Sequence, residues 1–238
     1  MSCDRGRFLR APPRIATIYL ARRNPQLSPD EFAPRWRSHG ELAASYARPG
    51  GPQRVVQCLN LRRPDVLAEA STEYDGVALV RQSAPAAIVD MWQGHVARDV
   101  LQPDELAVFG AYVRHFTMHA EEIPVKEEGP PEGVAVLGFH RIRRNLDARQ
   151  VGSDVLEAHD RGSSGFLAAA RRVAVNLIFD RAPGFDFDLI SELWFRDLDA
   201  VSRWADAHWP QYTRLWSDWT DADRAVILLT AVNYSRGG

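Results

Sequence analysis

Ser28-Pro29-Asp30-Glu31-Phe32-Ala33-Pro34-Arg35-Trp36-Arg37-Ser38-His39 decides the fold once it is set beside a second stretch, Asp147 to His159, at the corresponding place in the other half of the chain. Ser28 suits a helix N-cap, Pro29 the first helical position, and Glu31 completes a capping box three residues on. Phe32, Trp36, Leu42 and Ala43 then give an apolar stripe at roughly helical spacing. A strand-like apolar run precedes each stretch, at 14–22 and 134–143. Two more follow, at 53–61 and 75–81 in the first half and at 172–180 and 188–195 in the second. The later run of each pair begins at an aspartate, Asp75 and then Asp188.

Each half continues with a helix and a last strand. In the first half these are 84–99, a short extra helix at 103–110, and a strand at 112–123. In the second they are 198–216, interrupted near Pro210, and a strand at 224–234. The order β-α-β-β-α-β, met twice, is the ferredoxin-like pattern. The chain is therefore expected to be α+β, with two tandem ferredoxin-like units at 14–123 and 133–235. The charged, Pro/Gly-rich stretch 127–132 reads as their linker. Helices cover one face of such a sheet and leave the other bare. Two bare faces packed together give an eight-stranded barrel, here an intramolecular version of a dimeric α+β barrel, able to be filled by side chains or to hold one small ligand. Strand alternation puts Ile190, Glu192 and Trp194 on one face and Arg172, Ala174 and Asn176 on another. The faces bearing Glu192 and Asn176 are expected to point inward.

Composition narrows the function classes. The 238 residues are 45% hydrophobic, enough for a sizeable core, and 29 basic against 31 acidic side chains leave a net charge of -2. No basic excess points to nucleic acid. Cys3 and Cys58 make neither a disulfide framework nor a zinc signature. No apolar run approaches the roughly 20 residues that span a bilayer, and residues 1–13 lack the apolar core of a secretory signal. The expectation is a cytoplasmic protein with neither nucleic-acid nor membrane partner. Dinucleotide and phosphate loops, the G-x-S-x-G elbow and H-E-x-x-H are all missing. Their absence favours chemistry without metal or cofactor, or plain binding.

Histidines carry the candidate chemistry. His39 ends the first helix, where the helix terminus favours a charged ring and burial a neutral one, so its proton suits general acid/base work near neutral pH. The alternative is a histidine that only satisfies terminal carbonyls. His159 ends the equivalent helix beside a Gly/Ser-rich loop. Read as a strand, 112–121 places His115, Thr117, His119 and Glu121 on one face. His115 and His119 then stand roughly 13 Å apart, too far to share a metal ion. Glu192 interrupts an apolar strand. Trp194, Trp204, Trp209, Trp216 and Trp219 cluster late in the chain and read as core, or as an aromatic wall.

The segment 28–43, with Glu31, Phe32, Trp36 and His39, resembles the first helix of the EthD family of dimeric α+β barrel proteins. Tyr74-Asp75-Gly76-Val77-Ala78 is similar to that family's third strand, Gln102 to Phe109 to its short Asp-Glu-x-x-x-Phe helix, and Phe187 to Phe195 to the third strand again, glutamate included. The likeness is closer over 14–123; the second unit has no aromatic before His159. The resemblance implies a cofactor-free protein acting on an aromatic or polyketide-like small molecule by decarboxylation, dehydration or cyclisation. His39 is then the expected acid or base, assisted by Glu192, His115 or His159, with Tyr19, Trp36, Asn176 and Trp194 against the substrate. Two alternatives stand beside it: a haem- or oxygen-dependent oxidoreductase of the same superfamily, with His159 as a conceivable axial ligand, and a non-catalytic binder of a hydrophobic molecule. Leucine at 79, where the second unit has Glu192, predicts one asymmetric pocket. The chain is expected to be a monomer, its barrel complete in itself, or a homodimer through edge strands.

Overall fold

The computed structural model describes residues 14–47, 49–82, 93–160 and 165–237, apart from the side chains of Leu156, Ala158, His159, Asp160 and Phe166. Eight strands form a closed antiparallel barrel: β1 (Arg14–Ala21), β2 (Arg54–Asn60), β3 (Gly76–Gln82), β4 (Thr117–Glu127), β5 (Val134–His140), β6 (Arg172–Arg181), β7 (Leu189–Phe195) and β8 (Val226–Arg236). The order around the wall is β1-β3-β2-β8-β5-β7-β6-β4. Within each half the neighbours run fourth, first, third, second. The halves join through β2 with β8 and β4 with β6. Every strand is paired on both sides, so these described strands present no free edge for a second copy.

Equivalent details recur in the two halves. Asp75 N–H bonds to Ala21 C=O and Asp188 N–H to His140 C=O, both at 2.8 Å. The Asp75 carboxylate accepts from Arg23 N–H, and that of Asp188 from Ile142 N–H, again at 2.8 Å. Each aspartate thus ties the start of one strand to the chain leaving the first strand of its half. The stretch around 127–132 is a short connection in the barrel wall: Glu127 ends β4 and Glu128 N–H bonds to Arg171 C=O.

Alternating residues turn inward. Ile18, Leu20, Val56, Val77, Leu79, Met118, Leu137, Phe139, Ile190, Trp194 and Leu228 form the apolar interior. Toward one end an ion network closes it. Arg81 pairs with Glu192 at 2.5 Å and also with Glu122, and Arg172 pairs with Glu122 at 2.5 Å and Glu127 at 2.6 Å. Asn176 and the Trp194 indole donate to Glu192 at 2.7 and 2.9 Å. Burial pushes the Glu192 carboxyl up, but Arg81, Arg172 and these donors outweigh it and hold the group ionised.

Four main helices cover the outside: α1 (Pro29–Ser45), α2 (Gln102–Phe109), α3 (Ala148–Asp160) and α4 (Leu198–Trp219). The α1 capping box forms as the sequence predicts, with Ser28 and Glu31 satisfying each other's backbone N–H. Most of the helix expected at 84–99 lies outside the described residues. Its end, Ala97–Leu101, is a π-turn in which Gln102 N–H reaches back to Ala97 C=O. Pro103 has no N–H for a regular bond, so the turn widens just before it. Three local expectations need correction. Helix α1 runs on to Ser45, so His39 stands inside it and not at its end. Helix α4 runs unbroken through Pro210. The strand expected at 112–123 starts only at Thr117, because Val113–His115 is a single tight turn, and this leaves His115 exposed.

Candidate functional site

The largest described cavity, about 700 Å³, lies outside the barrel, between the outer face of the first-half sheet and its helices. Thr17 and Tyr19 of β1, Gln57 of β2, His39 and Gly40 of α1 and Glu105 of α2 line it. Tyr234 of β8 reaches in from the second half. A bulge makes this possible: Gln57 pairs with Tyr234 and Cys58 with Val232, so Asn233 is left out of the ladder. Asn233 instead bonds to Ala33 C=O and accepts from Arg37 on α1, tying the last strand to the first helix.

An aromatic cluster adjoins the cavity through Tyr19. Phe32 stacks on Trp36 at 5.2 Å, and Phe109 meets both edge-on at 6.2 Å. Tyr19 and Phe116 join them. Burying each such ring stabilises by roughly 2–3 kcal/mol, which fixes α1 against α2. Gly76 is needed here: a Cβ would sit 2.3 Å from the Cys58 carbonyl and 2.6 Å from the Trp36 ring.

His39 stands at the edge of this cluster, 7% exposed, with Phe109 edge-on to its ring at 5.8 Å. Its Nδ1 lies 2.7 Å from a carboxylate oxygen of Asp104. Burial pushes the Asp104 carboxyl up, but hydrogen bonds from Arg35 and His39 overcome this and keep it below the usual carboxylate range. An ionised Asp104 makes Nδ1 the protonated nitrogen, so Nε2 carries a lone pair available to the cavity. Burial pulls the His39 pKa down, Asp104 pulls it up, Arg35 pulls it down again, and the net shift is downward. At neutral pH the ring is a neutral, oriented base.

Other groups complete the wall. Burial pushes the Tyr19 hydroxyl well up, so it stays protonated. Its oxygen accepts from the Trp36 indole at 3.3 Å. Burial also raises Glu105, although Val113 N–H donates to it at 2.9 Å. Gln57 is 1% exposed, and its Nε2 donates to Trp36 C=O at 3.0 Å. The Gln57 Oε1 is buried with no hydrogen-bond partner among the described residues.

The structure brings together only part of the expected constellation. His39 and Tyr19 line one cavity. Trp36 is fully buried behind them. Glu192, Asn176 and Trp194 face the barrel interior, across the sheet from His39. Glu192 is 0% exposed and bound on all sides, so it is not positioned to assist His39. His115 lies outside the cavity. The side chain of His159 lies outside the described residues. Its equivalence to His39 also needs adjusting: Ala21 matches His140 and Ser28 matches Asp147, each 119 residues apart, and the same spacing pairs His39 with Ala158. Asp104, Glu105 and Gln57 were not singled out. The first two sit in the Asp-Glu pair of a short helix with Phe109 on it, a pattern visible in the sequence. Nothing in the sequence marks Gln57.

In the second half, aromatic side chains pack on the outer face of the sheet. His140 stacks on Trp216 at 4.4 Å, and its Nε2 lies 3.0 Å from Ser191 Oγ, which in turn meets the Tyr212 hydroxyl at 2.9 Å. Trp204, Tyr212 and Trp216 are buried against the sheet, and Trp209 and Trp219 pack half-buried against the same core. Among the described residues no group of three His, Cys, Asp or Glu side chains could hold a metal ion, and no helix is long and apolar enough to cross a membrane.

Three solved structures place the fold among known proteins. An "anthrone oxidase-like protein" is 12% identical with a TM-score of 0.64, over 95% of this chain and 94% of the other. A "putative monooxygenase" from Lactobacillus acidophilus NCFM is 9% identical with a TM-score of 0.59, over 95% and 97%. A "putative chlorite dismutase" is 13% identical with a TM-score of 0.52, over 93% and 95%. The chain shares with them the dimeric α+β barrel fold. No family model matches the sequence. No curated protein matches it either.

Proposed function

We propose that the chain is an enzyme that moves a proton on a small, largely apolar molecule held in the first-half cavity, with His39 as the base. The observation that carries this is the Nδ1 bond from His39 to Asp104, which leaves Nε2 as a lone-pair nitrogen on the wall of a cavity of about 700 Å³. Asp104 is the positioning residue and is itself oriented by Arg35. The protonated phenol of Tyr19 is a hydrogen-bond donor for charge developing on the ligand, and Glu105 lines the same wall. The reaction follows what the deprotonated ligand does next. Loss of a group, dehydration or ring closure fits the EthD resemblance, and no cofactor is part of this reading. Oxidation of an aromatic or polyketide-like ligand is the second reading, favoured by solved neighbours described as monooxygenase and anthrone oxidase-like. A haem-dependent version rests on His159 and draws no support from the described side chains. The aromatic packing of α4 on the second-half sheet supports a single active site per chain. The recurring strand order and aspartate ties support reading the halves as tandem ferredoxin-like units. We further propose a cytoplasmic monomer or homodimer.

The test is a panel of hydroxylated polyaromatic and β-keto compounds, incubated with purified protein in air and under nitrogen, without added cofactor. Turnover is expected for wild type, lost in His39→Ala, with ligand binding retained. Oxygen dependence separates the two readings. Unchanged turnover in His39→Ala refutes the role of the base, and binding without turnover of any compound leaves a binder.

A further inference from the structure

We infer that Gln57 is a specificity-determining residue that selects ligands presenting an O–H or N–H group to the floor of the cavity. This rests on the cavity being the ligand site proposed above and adds a statement about what it accepts. Gln57 lies in mid-strand on β2, 1% exposed, and lines the cavity. Its Nε2 is committed to Trp36 C=O at 3.0 Å, which fixes the amide plane and decides which end is the oxygen. The Oε1 that results is buried and has no partner among the described residues. Buried polar atoms are nearly always hydrogen-bonded, so an orphan at a cavity wall points to something that arrives from outside.

The surroundings are shaped to hold the amide in place. Gly40 interrupts a helix that would be steadier with alanine there. A Cβ at this position would lie 2.7 Å from Gln57 Nε2 and 3.0 Å from the Tyr234 ring. The glycine therefore leaves room for the amide head, and Tyr234 closes over it. Gln57 Oε1 can only accept, whereas the Tyr19 hydroxyl can donate and His39 Nε2 accepts a proton. A matching ligand is mainly apolar and bears a hydroxyl or amine placed against β2. One lacking it leaves Oε1 unpaired and is disfavoured, as when a site built for a hydroxyl meets an analogue without one.

The experiment compares two probes, 2-naphthol and 2-methoxynaphthalene, which differ by replacing the hydroxyl proton with a methyl group. Binding is titrated by fluorescence on wild type and on Gln57→Met, which keeps the side-chain length and removes both amide groups. Wild type is expected to bind 2-naphthol roughly tenfold more tightly, as one buried hydrogen bond implies. In Gln57→Met the ratio is expected to fall to about one, with 2-methoxynaphthalene affinity kept within about threefold of wild type. Should the variant not fold, the wild-type ratio still decides, together with the Gln57 side-chain amide NMR signal, which should shift with 2-naphthol and not with its ether. Equal binding of the two probes by wild type, or a preference that survives in Gln57→Met, overturns the assignment of Gln57 and leaves the proposed function standing. Binding of neither probe overturns the cavity as a ligand site, and with it both readings. Loss of turnover in His39→Ala bears on the proposed function alone.

Discussion

Acid should unfold this protein through His140, a residue with no part in the proposed chemistry. Its ring is buried against Trp216, and burial pulls its pKa from the ordinary 6.5 down to about 3. The unfolded chain takes up a proton near pH 6.5, while the folded protein refuses it until about pH 3. Between those limits the unfolded state binds more protons, so stability falls as the pH is lowered. At pH 5 the unfolded state is favoured by 1.5 pH units of proton uptake, about 2 kcal/mol, and at pH 7.5 by almost nothing. The perturbation is His140→Gln, which can keep a hydrogen bond to Ser191 but does not titrate. The loss of stacking lowers the variant's stability by an amount that does not depend on pH. The informative quantity is therefore the slope. Urea unfolding followed by tryptophan fluorescence at pH 7.5, 6 and 5 should show wild type losing about 2 kcal/mol more than the variant across that range. Parallel losses would refute the reasoning, since every other titrating group is common to both proteins.

Two further outcomes follow from the geometry. Asp104→Asn removes the charge that raises the His39 pKa and orients its ring. The NMR titration midpoint of His39, already below 6.5, should fall further, and turnover should drop roughly a hundredfold or more with 2-naphthol binding intact; a midpoint that rises would contradict the assigned electrostatics. Glu192→Gln leaves Arg81 and Arg172 short of one buried counter-charge, and chemical denaturation should show a loss of about 3–5 kcal/mol. A loss under about 1 kcal/mol would mean that Glu122 and Glu127 suffice to balance both guanidiniums.

The barrel was legible because its signals are local and repeated. The capping box at Ser28, the strand periodicity and the recurring aspartates each follow from residues close in sequence. The site was legible only in part. His39 announces itself as an ionisable ring on an amphipathic helix, although α1 runs on to Ser45 and leaves it within the helix and not at its end, and its partner Asp104 is 65 positions away on another helix. Glu192 stood out as a charge in an apolar strand. That signal was real, but it marked a barrel-filling ion network, because alternation tells which residues share a face and not which face is wet. The equivalence of His39 and His159 failed by one residue, which on a helix is a turn of about 100°. Gln57 had no signal at all: a lone amide in a strand becomes notable only when its neighbours are seen to leave its oxygen unmet.

The ion network inside the barrel also joins its two halves. Arg81 and Glu122 belong to the first half, Arg172 and Glu192 to the second, so each half brings one guanidinium and one carboxylate. Two of the bridges cross between halves, Arg81 with Glu192 and Arg172 with Glu122. The bridging residues are not at equivalent positions: Leu79 stands where Glu192 does, and Trp194 where Arg81 does. The crossing bridges therefore act as an asymmetric latch, in which each half completes the buried ion pairing of the other, and separating the halves would strand a charge on both sides at once.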